Sequence, residues 1–195
     1  MNLICFVIVL TVYFIIAILP SETIGIGQGG IIQTYQSSKL GISFQYPSEW
    51  QEPSEDFENC EKENNCSVFF SKLDILPGAN PNIYIFSIGA FDLDKPVLSY
   101  EPCNCDTLKE YVIWDYNTIW KNKIFINDNQ TKIGNNHSAW QMETVNADEK
   151  GKVLTVWTIN DNVGYKFLYS VQDDTTFDRY LDSFRKMLKG FRVIL

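Results

Sequence analysis

The stretch that decides the fold is Gly41-Ile42-Ser43-Phe44-Gln45-Tyr46-Pro47-Ser48-Glu49-Trp50. Ile42, Phe44 and Tyr46 alternate with polar residues, which is the period-two pattern of a strand with one buried face. Pro47 cannot donate a hydrogen bond to a sheet, so the strand ends there and Trp50 follows in a turn. We therefore expect the folded domain to open with a strand over these residues.

Six further strand-like runs follow, at 68–73, 83–91, 124–132, 139–145, 153–159 and 165–171. The last four are joined by short connections rich in Gly, Asn and Asp, which are typical of hairpins, at 134–136, 148–151 and 160–162. Residues 83–88 are apolar on both faces of their strand, so we expect this strand to lie centrally with both faces covered. Together the runs predict one antiparallel sheet of about six or seven strands.

Two segments have the apolar spacing of amphipathic helices. The first begins at a capping box, in which Thr107 and Glu110 each satisfy an otherwise unpaired amide. Its broad apolar face contains Leu108, Val112, Tyr116 and Ile119, with Ile113 and Trp120 beside them. The second covers about 176–189 and ends before Gly190, in the position of a C′ glycine. One helix on each face of the sheet predicts an α+β fold, an antiparallel sheet sandwiched between two helices.

An uncharged apolar segment, 3–19, precedes the domain. It is long enough for the core of a signal peptide and just short of the roughly 20 residues of a membrane span. We therefore expect one N-terminal signal or transmembrane helix at 1–20, a linker at 21–38 and the domain at 39–195. The linker contains Gly25-x-Gly27-x-x-Gly30, but without the flanking strand and helix that a dinucleotide site needs. The segment predicts an extracytoplasmic protein, anchored in the membrane or secreted after cleavage.

Four cysteines beyond this segment are disulfide candidates: Cys60, Cys66, Cys103 and Cys105. An even number in an exported chain favours disulfides, and three pairings are possible. Antiparallel pairing of the second and third strands would bring both cysteine-bearing loops to one end of the sheet, where bridges between the loops are geometrically feasible. A bond within the Cys103/Cys105 pair would be strained by its short separation. The alternative is a copper or zinc site built from the four thiolates.

Three Asn-x-Ser/Thr triplets make Asn65, Asn129 and Asn136 candidates for glycosylation. Such triplets also arise by chance. Together with the N-terminal segment and the even cysteine count, they point to a location outside the cytoplasm.

Composition excludes several classes of function. The net charge of −8 and the pI of about 4.6 argue against nucleic-acid binding. His137 is the only histidine, so neither a catalytic triad nor a three-histidine zinc site can form. Acidic pairs at 148–149 and 173–174 leave calcium binding open, although the latter fit the start of a helix equally well. We assign no catalytic residue, no cofactor and no enzymatic activity.

The order of elements resembles the PsbP-like superfamily. The resemblance covers 39–195 and rests on the strand–Pro–x–x–Trp opening at 41–50, on Gly164-Tyr165 in the last hairpin, and on the closing helix, whose markers are Phe177, Tyr180, Phe184, Gly190 and Phe191. It implies an α/β/α sandwich that works without catalysis by contacting other proteins. The two cysteine pairs are not part of the family pattern.

The expected function is therefore that of an extracytoplasmic protein-binding or assembly module at the membrane surface. Its protein partner is not identified by the sequence, and the membrane is reached through the N-terminal segment. The alternative is an exported protein that binds a small ligand or a metal, namely copper, zinc or calcium.

Overall fold

The computed structural model describes residues 31–57, 60–75, 81–97, 100–119, 123–146 and 151–194. The predicted signal or membrane segment at 1–20 and the glycine motif of the linker lie outside these ranges. Within them, none of the helices combines the length and the apolar character needed to span a membrane.

Ten strands and three α-helices make up the described fold. The strands are β1 (Ile32–Ser37), β2 (Ile42–Pro47), β3 (Ser54–Asp56), β4 (Cys66–Asp74), β5 (Asn82–Asp92), β6 (Lys123–Ile133), β7 (His137–Asn146), β8 (Lys152–Asn160), β9 (Val163–Val171) and β10 (Arg192–Val193). The helices are α1 (Cys60–Glu63), α2 (Leu108–Ile119) and α3 (Leu181–Gly190), with a 3₁₀ helix at Asp174–Arg179. Every strand pairing is antiparallel, as predicted.

The strands form two sheets rather than the single predicted one. The larger sheet has seven strands in the order β3-β4-β5-β9-β8-β7-β6, and the smaller has the order β1-β2-β10. The opening strand β2 therefore does not extend the larger sheet. It packs face to face on it, because the Phe44 ring lies 5.3 Å from the ring of Phe70 and 5.6 Å from that of Phe86. Alternation in sequence predicts a buried face but not the sheet that covers it.

Strand β1 falls inside the stretch assigned to the linker. Its residues pair with β2 along their whole length, from Ile32 opposite Pro47 to Ser37 opposite Ile42. Only Tyr35 and Ser37 are buried, so the strand has little apolar signal of its own. The strand therefore depends on its pairing with β2.

The larger sheet separates two cores, with one helix against each, as predicted. Helix α3 and the small sheet cover one face, around Phe86, Phe167 and Phe184. Helix α2 covers part of the other, around Tyr111 and Trp157. Consecutive strand residues point to opposite faces, which is how Val156 and Trp157 reach different cores.

Two details of the predicted covering are wrong. Strand β5 is central, but Ile83 and Ile85 are 39% and 37% exposed, because α2 does not extend over that part of the sheet. Helix α2 is also rotated relative to the predicted apolar face. Tyr111 and Asp115 point inward and are 0% and 1% exposed, whereas Ile113 is 49% exposed.

The helix ends follow the sequence in part. The capping box is confirmed, since Thr107 N donates to Glu110 Oε2 at 3.0 Å and Glu110 N donates to Thr107 Oγ1 at 3.2 Å. Gly190 is not a C′ glycine. It is the last residue of α3, and a Cβ there would lie 3.2 Å from Gln45 N. Its small size therefore serves the close approach of α3 to β2.

Candidate functional site

The predicted cysteine loops do meet at one end of the larger sheet. Cys66 stands opposite Ala90 in the β4–β5 pairing, and Asn104 N donates to Leu93 O at 3.0 Å, just beyond β5. The bonds, however, are local: Cys60 is joined to Cys66, and Cys103 to Cys105, with Cα–Cα distances of 4.4 and 5.1 Å. Of the three possible pairings, the structure has the one without a bridge between the loops.

The two cores explain why the pairs stay apart. Cys66 packs against the core under α3, and Cys105 is buried in the core under α2, so the sheet stands between them. Helix α1 turns the chain back and brings Cys60 to the start of β4. With all four sulfurs in disulfides, this end of the sheet offers no thiolate to copper or zinc.

The glycosylation candidates occupy three different settings. Asn129 is exposed in the middle of β6, and Asn136 is exposed in the β6–β7 turn, where its φ is 72°. Asn65 is half-buried between α1 and β4, beside the first disulfide. The first two side chains are therefore accessible to a modifying enzyme.

The described acidic and histidine candidates have structural contacts that account for their positions. Asp173 caps the 3₁₀ helix, with Oδ1 accepting from Thr175 N at 3.0 Å. The pair at 148–149 lies outside the described residues. Within the described ranges, no group of three His, Cys, Asp or Glu side chains is arranged to hold a metal. His137 is half-buried at the start of β7, with its ring 6.0 Å from that of Phe191.

A buried charged cluster lies between α2 and the sheet, and the sequence analysis missed it. The Asp115 carboxylate accepts a 2.9 Å hydrogen bond from Trp157 Nε1 and a 2.8 Å charged contact from Lys166 Nζ. Trp157 and Lys166 are opposite each other on β8 and β9. Because the lysine charge offsets the carboxylate, the cluster fixes α2 on the sheet at a tolerable desolvation cost. The signal in the sequence is an aspartate on the inward side of an amphipathic helix.

Tyr111 lies beside this cluster. Its hydroxyl is fully buried and has no hydrogen-bond partner among the described residues. Burial raises the pKa of the phenol well above its usual range, and the nearby Asp115 carboxylate raises it further. A phenol held neutral in this way is a packing group and not a proton donor near neutral pH.

An exposed apolar surface lies at the start of edge strand β6. Ile124, Phe125 and Ile126 are 53%, 49% and 45% exposed. Ile124 pairs with Val145 and Phe125 with Thr144, so these two side chains point to opposite faces of the sheet. A bulge follows between Phe125 and Asn127. Three consecutive apolar residues in a strand were the available signal.

This edge is the candidate functional site. A strand at the end of a sheet presents unpaired backbone N–H and C=O groups, to which another extended chain can add. The opposite edge of the sheet is short and polar, since β3 consists of Ser54, Glu55 and Asp56. Such an edge is protected against strand addition, whereas the first residues of β6 are not.

Comparison with known proteins assigns the fold. No family model matches the chain, and no curated protein matches it either. The solution structure of cyanobacterial PsbP (CyanoP) from Synechocystis sp. PCC 6803 superposes with a TM-score of 0.53 at 17% identity, covering 86% of this chain and 96% of that one. Two others have lower TM-scores. LpqN of Mycobacterium tuberculosis, involved in cell envelope biogenesis, gives 0.49 at 12% identity, covering 84% and 92%. Protein PA94 of Pseudomonas aeruginosa, of unknown function, gives 0.47 at 11%, covering 82% and 95%.

Proposed function

We propose that this chain, which has the PsbP-like fold, is a non-catalytic protein-binding module that works outside the cytoplasm at the membrane surface. Its binding site is the start of β6, and its partner contributes an extended segment that adds to the larger sheet. The observation that carries the proposal is the exposure of Ile124, Phe125 and Ile126 on an edge strand.

The arrangement of these side chains favours a strand over other occupants. A helix laid on one face of the sheet would cover either Ile124 or Phe125, because the two point to opposite faces. A strand added along the edge borders both, and it also pairs with the outer backbone groups of β6. Hydrogen bonds to the backbone then supply affinity, and the apolar side chains supply specificity.

The remainder of β6 limits where the partner can add. Asn127, Asp128, Asn129, Gln130 and Lys132 are exposed and polar or charged, which is how edge strands usually resist pairing. The bulge after Phe125 separates this protected half from the apolar half. The partner segment is therefore short, and it ends near the bulge.

Two observations support the compartment. Two disulfides persist in oxidising environments outside the cytoplasm and are rare inside it. The apolar segment at 3–19 supplies a route of export and, if it is retained, a membrane anchor.

The first test places a photo-reactive amino acid at position 126 of the full chain, in the cells that make the protein, and cross-links it to its partner. The cross-linked peptide is sequenced, synthesised and added to the purified protein. We expect the added peptide to slow hydrogen exchange of the outward-facing amides within 123–127, because these amides, which do not donate to β7, become paired. In a second experiment the photo-reactive amino acid is placed at position 124. We expect the additional change Ile126→Lys to abolish its cross-link.

Ile83→Lys is the matched control, because Ile83 is similarly exposed but lies on central strand β5. It should leave the cross-link intact. The proposal fails if both lysine variants lose it equally, or if the peptide protects amides elsewhere. It fails as well if the cross-link joins two copies of this chain, which would make the edge a homodimer interface.

A further inference from the structure

A groove runs beside α2, on the side that faces β6 and β7. Its inner part is a cavity of about 280 Å³ lined by Val112, Ile113, Tyr116, Trp140 and Met142, with Lys109, Asn117 and Asp128 at its margin. A second cavity of about 480 Å³ adjoins it at Lys109 and is lined by Leu108, Gln130, Lys132, Ser138 and their neighbours. Together they follow α2 from Leu108 to Asn117, about 14 Å at the rise of an α-helix.

The inner part of the groove is mostly apolar, and several of its lining side chains are held in place by packing or hydrogen bonds. Val112 and Met142 belong to the buried core beneath α2 and are 5% and 8% exposed. The Trp140 ring is held in place by a 3.0 Å hydrogen bond from its Nε1 to Asp128 Oδ2. Ile113 also lines this part and is 49% exposed. An apolar chain entering here would contact both Ile113 and the Trp140 indole.

The outer part carries the positive charge. Lys109 and Lys132 both line it, and no carboxylate among the described residues forms an ion pair with either. The remaining lining is uncharged, with the hydroxyls of Thr107, Thr131 and Ser138 and the amide of Gln130. In a chain with a net charge of −8, two lysines at one cavity favour an anionic group there.

We propose that the groove beside α2 binds a medium-chain carboxylate, with its acyl chain against Val112, Trp140 and Met142 and its head group between Lys109 and Lys132. Asp128 favours this direction, because it lines the inner cavity and not the outer one, so its carboxylate repels a ligand anion from the inner part. The length of the groove is comparable with the extended chain of a medium-chain fatty acid. Its volume falls in the range of small-ligand sites, which are mostly apolar with a few polar groups that orient the ligand.

This site does not depend on the proposed protein partner. The groove uses the polar half of β6 and the face under α2, whereas the proposed strand adds at Ile124, Phe125 and Ile126. Variants can therefore remove one function and leave the other.

The test is calorimetric titration of the purified protein, with its disulfides intact, against four probes, each below its micelle concentration or its solubility limit. These are dodecanoate, dodecanol, dodecyltrimethylammonium and acetate. We expect dodecanoate to bind most tightly, dodecanol more weakly, and acetate and the cation not at all. The Trp140 indole N–H resonance should shift on addition of dodecanoate.

Two variants separate the head-group site from the chain site. Lys132→Gln should weaken dodecanoate binding about fivefold and leave dodecanol unchanged. Ile113→Asn should weaken both, because it removes apolar contact from the acyl chain. The matched controls are Lys186→Gln on the exposed side of α3 and Ile75→Asn, which is 67% exposed and distant from the groove. Neither control should alter binding.

The proposal is overturned if dodecanoate does not bind, or if the cationic probe binds as well as the anionic one. Equal loss of affinity in Ile113→Asn and Ile75→Asn would likewise show that the apolar chain lies elsewhere. Because both variants change exposed side chains, their melting temperatures should stay close to the parent value, and a loss of binding is then not a loss of folding.

Discussion

Trp157 and Asp115 are joined across the interface between sheet and helix by a 2.9 Å hydrogen bond from the indole Nε1 to the carboxylate. Trp157 is 1% exposed, and the same carboxylate pairs with Lys166 at 2.8 Å. One aspartate therefore satisfies a buried indole and a nearly buried ammonium group. The attachment of α2, and with it the shape of the groove beside this helix, depends on that aspartate.

Replacing Asp115 by Asn should destabilise the protein by about 3 kcal/mol, because it leaves the Lys166 charge without its counter-ion. Urea unfolding monitored by tryptophan fluorescence measures the change. Asp182→Asn is the control, since Asp182 is 86% exposed in its pair with Arg185. Its effect should be within about 0.5 kcal/mol. Equal losses in the two variants would contradict a structural role for the buried cluster.

The disulfide pairing predicts a specific peptide map. Trypsin cleaves after Lys62, between Cys60 and Cys66, so the two resulting peptides should remain joined until a reductant is added. The peptide with Cys103 and Cys105 should migrate alone and be lighter by two hydrogens than its reduced form. Mass spectrometry without reduction makes the measurement. A disulfide-linked peptide pair that contains Cys66 and Cys103 would contradict the local pairing.

Buried tyrosines make stability fall at high pH. Burial raises the folded-state pKa of Tyr35, Tyr111 and Tyr169 above the ordinary value of 10.0. Below pH 10 both states are protonated, and the stabilising contribution is complete. As pH rises past 10, the unfolded chain loses these protons first, so the free energy of unfolding decreases. Chemical denaturation between pH 8 and pH 11 should show this loss.

Tyr111→Phe isolates one of these groups. At pH 7 the variant should be at least as stable as the parent, because it removes a buried hydroxyl that has no partner among the described residues. Above pH 10 its stability should decline less steeply. Tyr100→Phe, which is 37% exposed, is the control and should follow the parent at every pH. Identical pH slopes for all three proteins would exclude Tyr111 as a source of the effect.

Replacing Gly134 by alanine should destabilise the protein far more than replacing Gly41. Both have positive φ, +52° and +66°, so alanine costs each about 1 kcal/mol in backbone strain. A Cβ at Gly134 would also lie 2.2 Å from Phe191 O, whereas the nearest atom to one at Gly41 is 3.5 Å away. Gly134→Ala should therefore lose about 3 kcal/mol, and Gly41→Ala about 1 kcal/mol. Thermal melts of both variants compare the two, and similar losses would contradict the close packing of this turn.

Local sequence patterns predicted most of the elements. The Thr107/Glu110 capping box located the start of α2, and the Gly-Asn-Asn and Asn-Asp-Asn connections located the β6–β7 and β8–β9 hairpins. These features are set by residues within a few positions of one another. One helix on each face was also predicted correctly, although the helix over one face leaves Ile83 and Ile85 of β5 exposed.

What the sequence did not predict depends on contacts between distant segments. Asp115 can lie on the inward face of α2 because Lys166 and Trp157, on two later strands, donate hydrogen bonds to its carboxylate. Cysteine spacing could not show that the sheet would separate the two pairs. The exposed start of β6 was legible as three apolar residues in succession, but its position at the edge follows from the order of all seven strands.

The smaller sheet is completed by residues 192–194, far along the chain from β2. Arg192 and Val193 pair with Ser43 and Ile42, and Ile194 N donates to Gly41 O at 2.8 Å. During synthesis, the segment around Ile42 leaves the ribosome almost a whole domain before the segment that completes its sheet. The edge of β2 that faces β10 stays unpaired for that interval, so the smaller sheet is completed only after Val193 has left the ribosome. A ribosome stalled before Phe191 would display an unfinished, protease-sensitive domain.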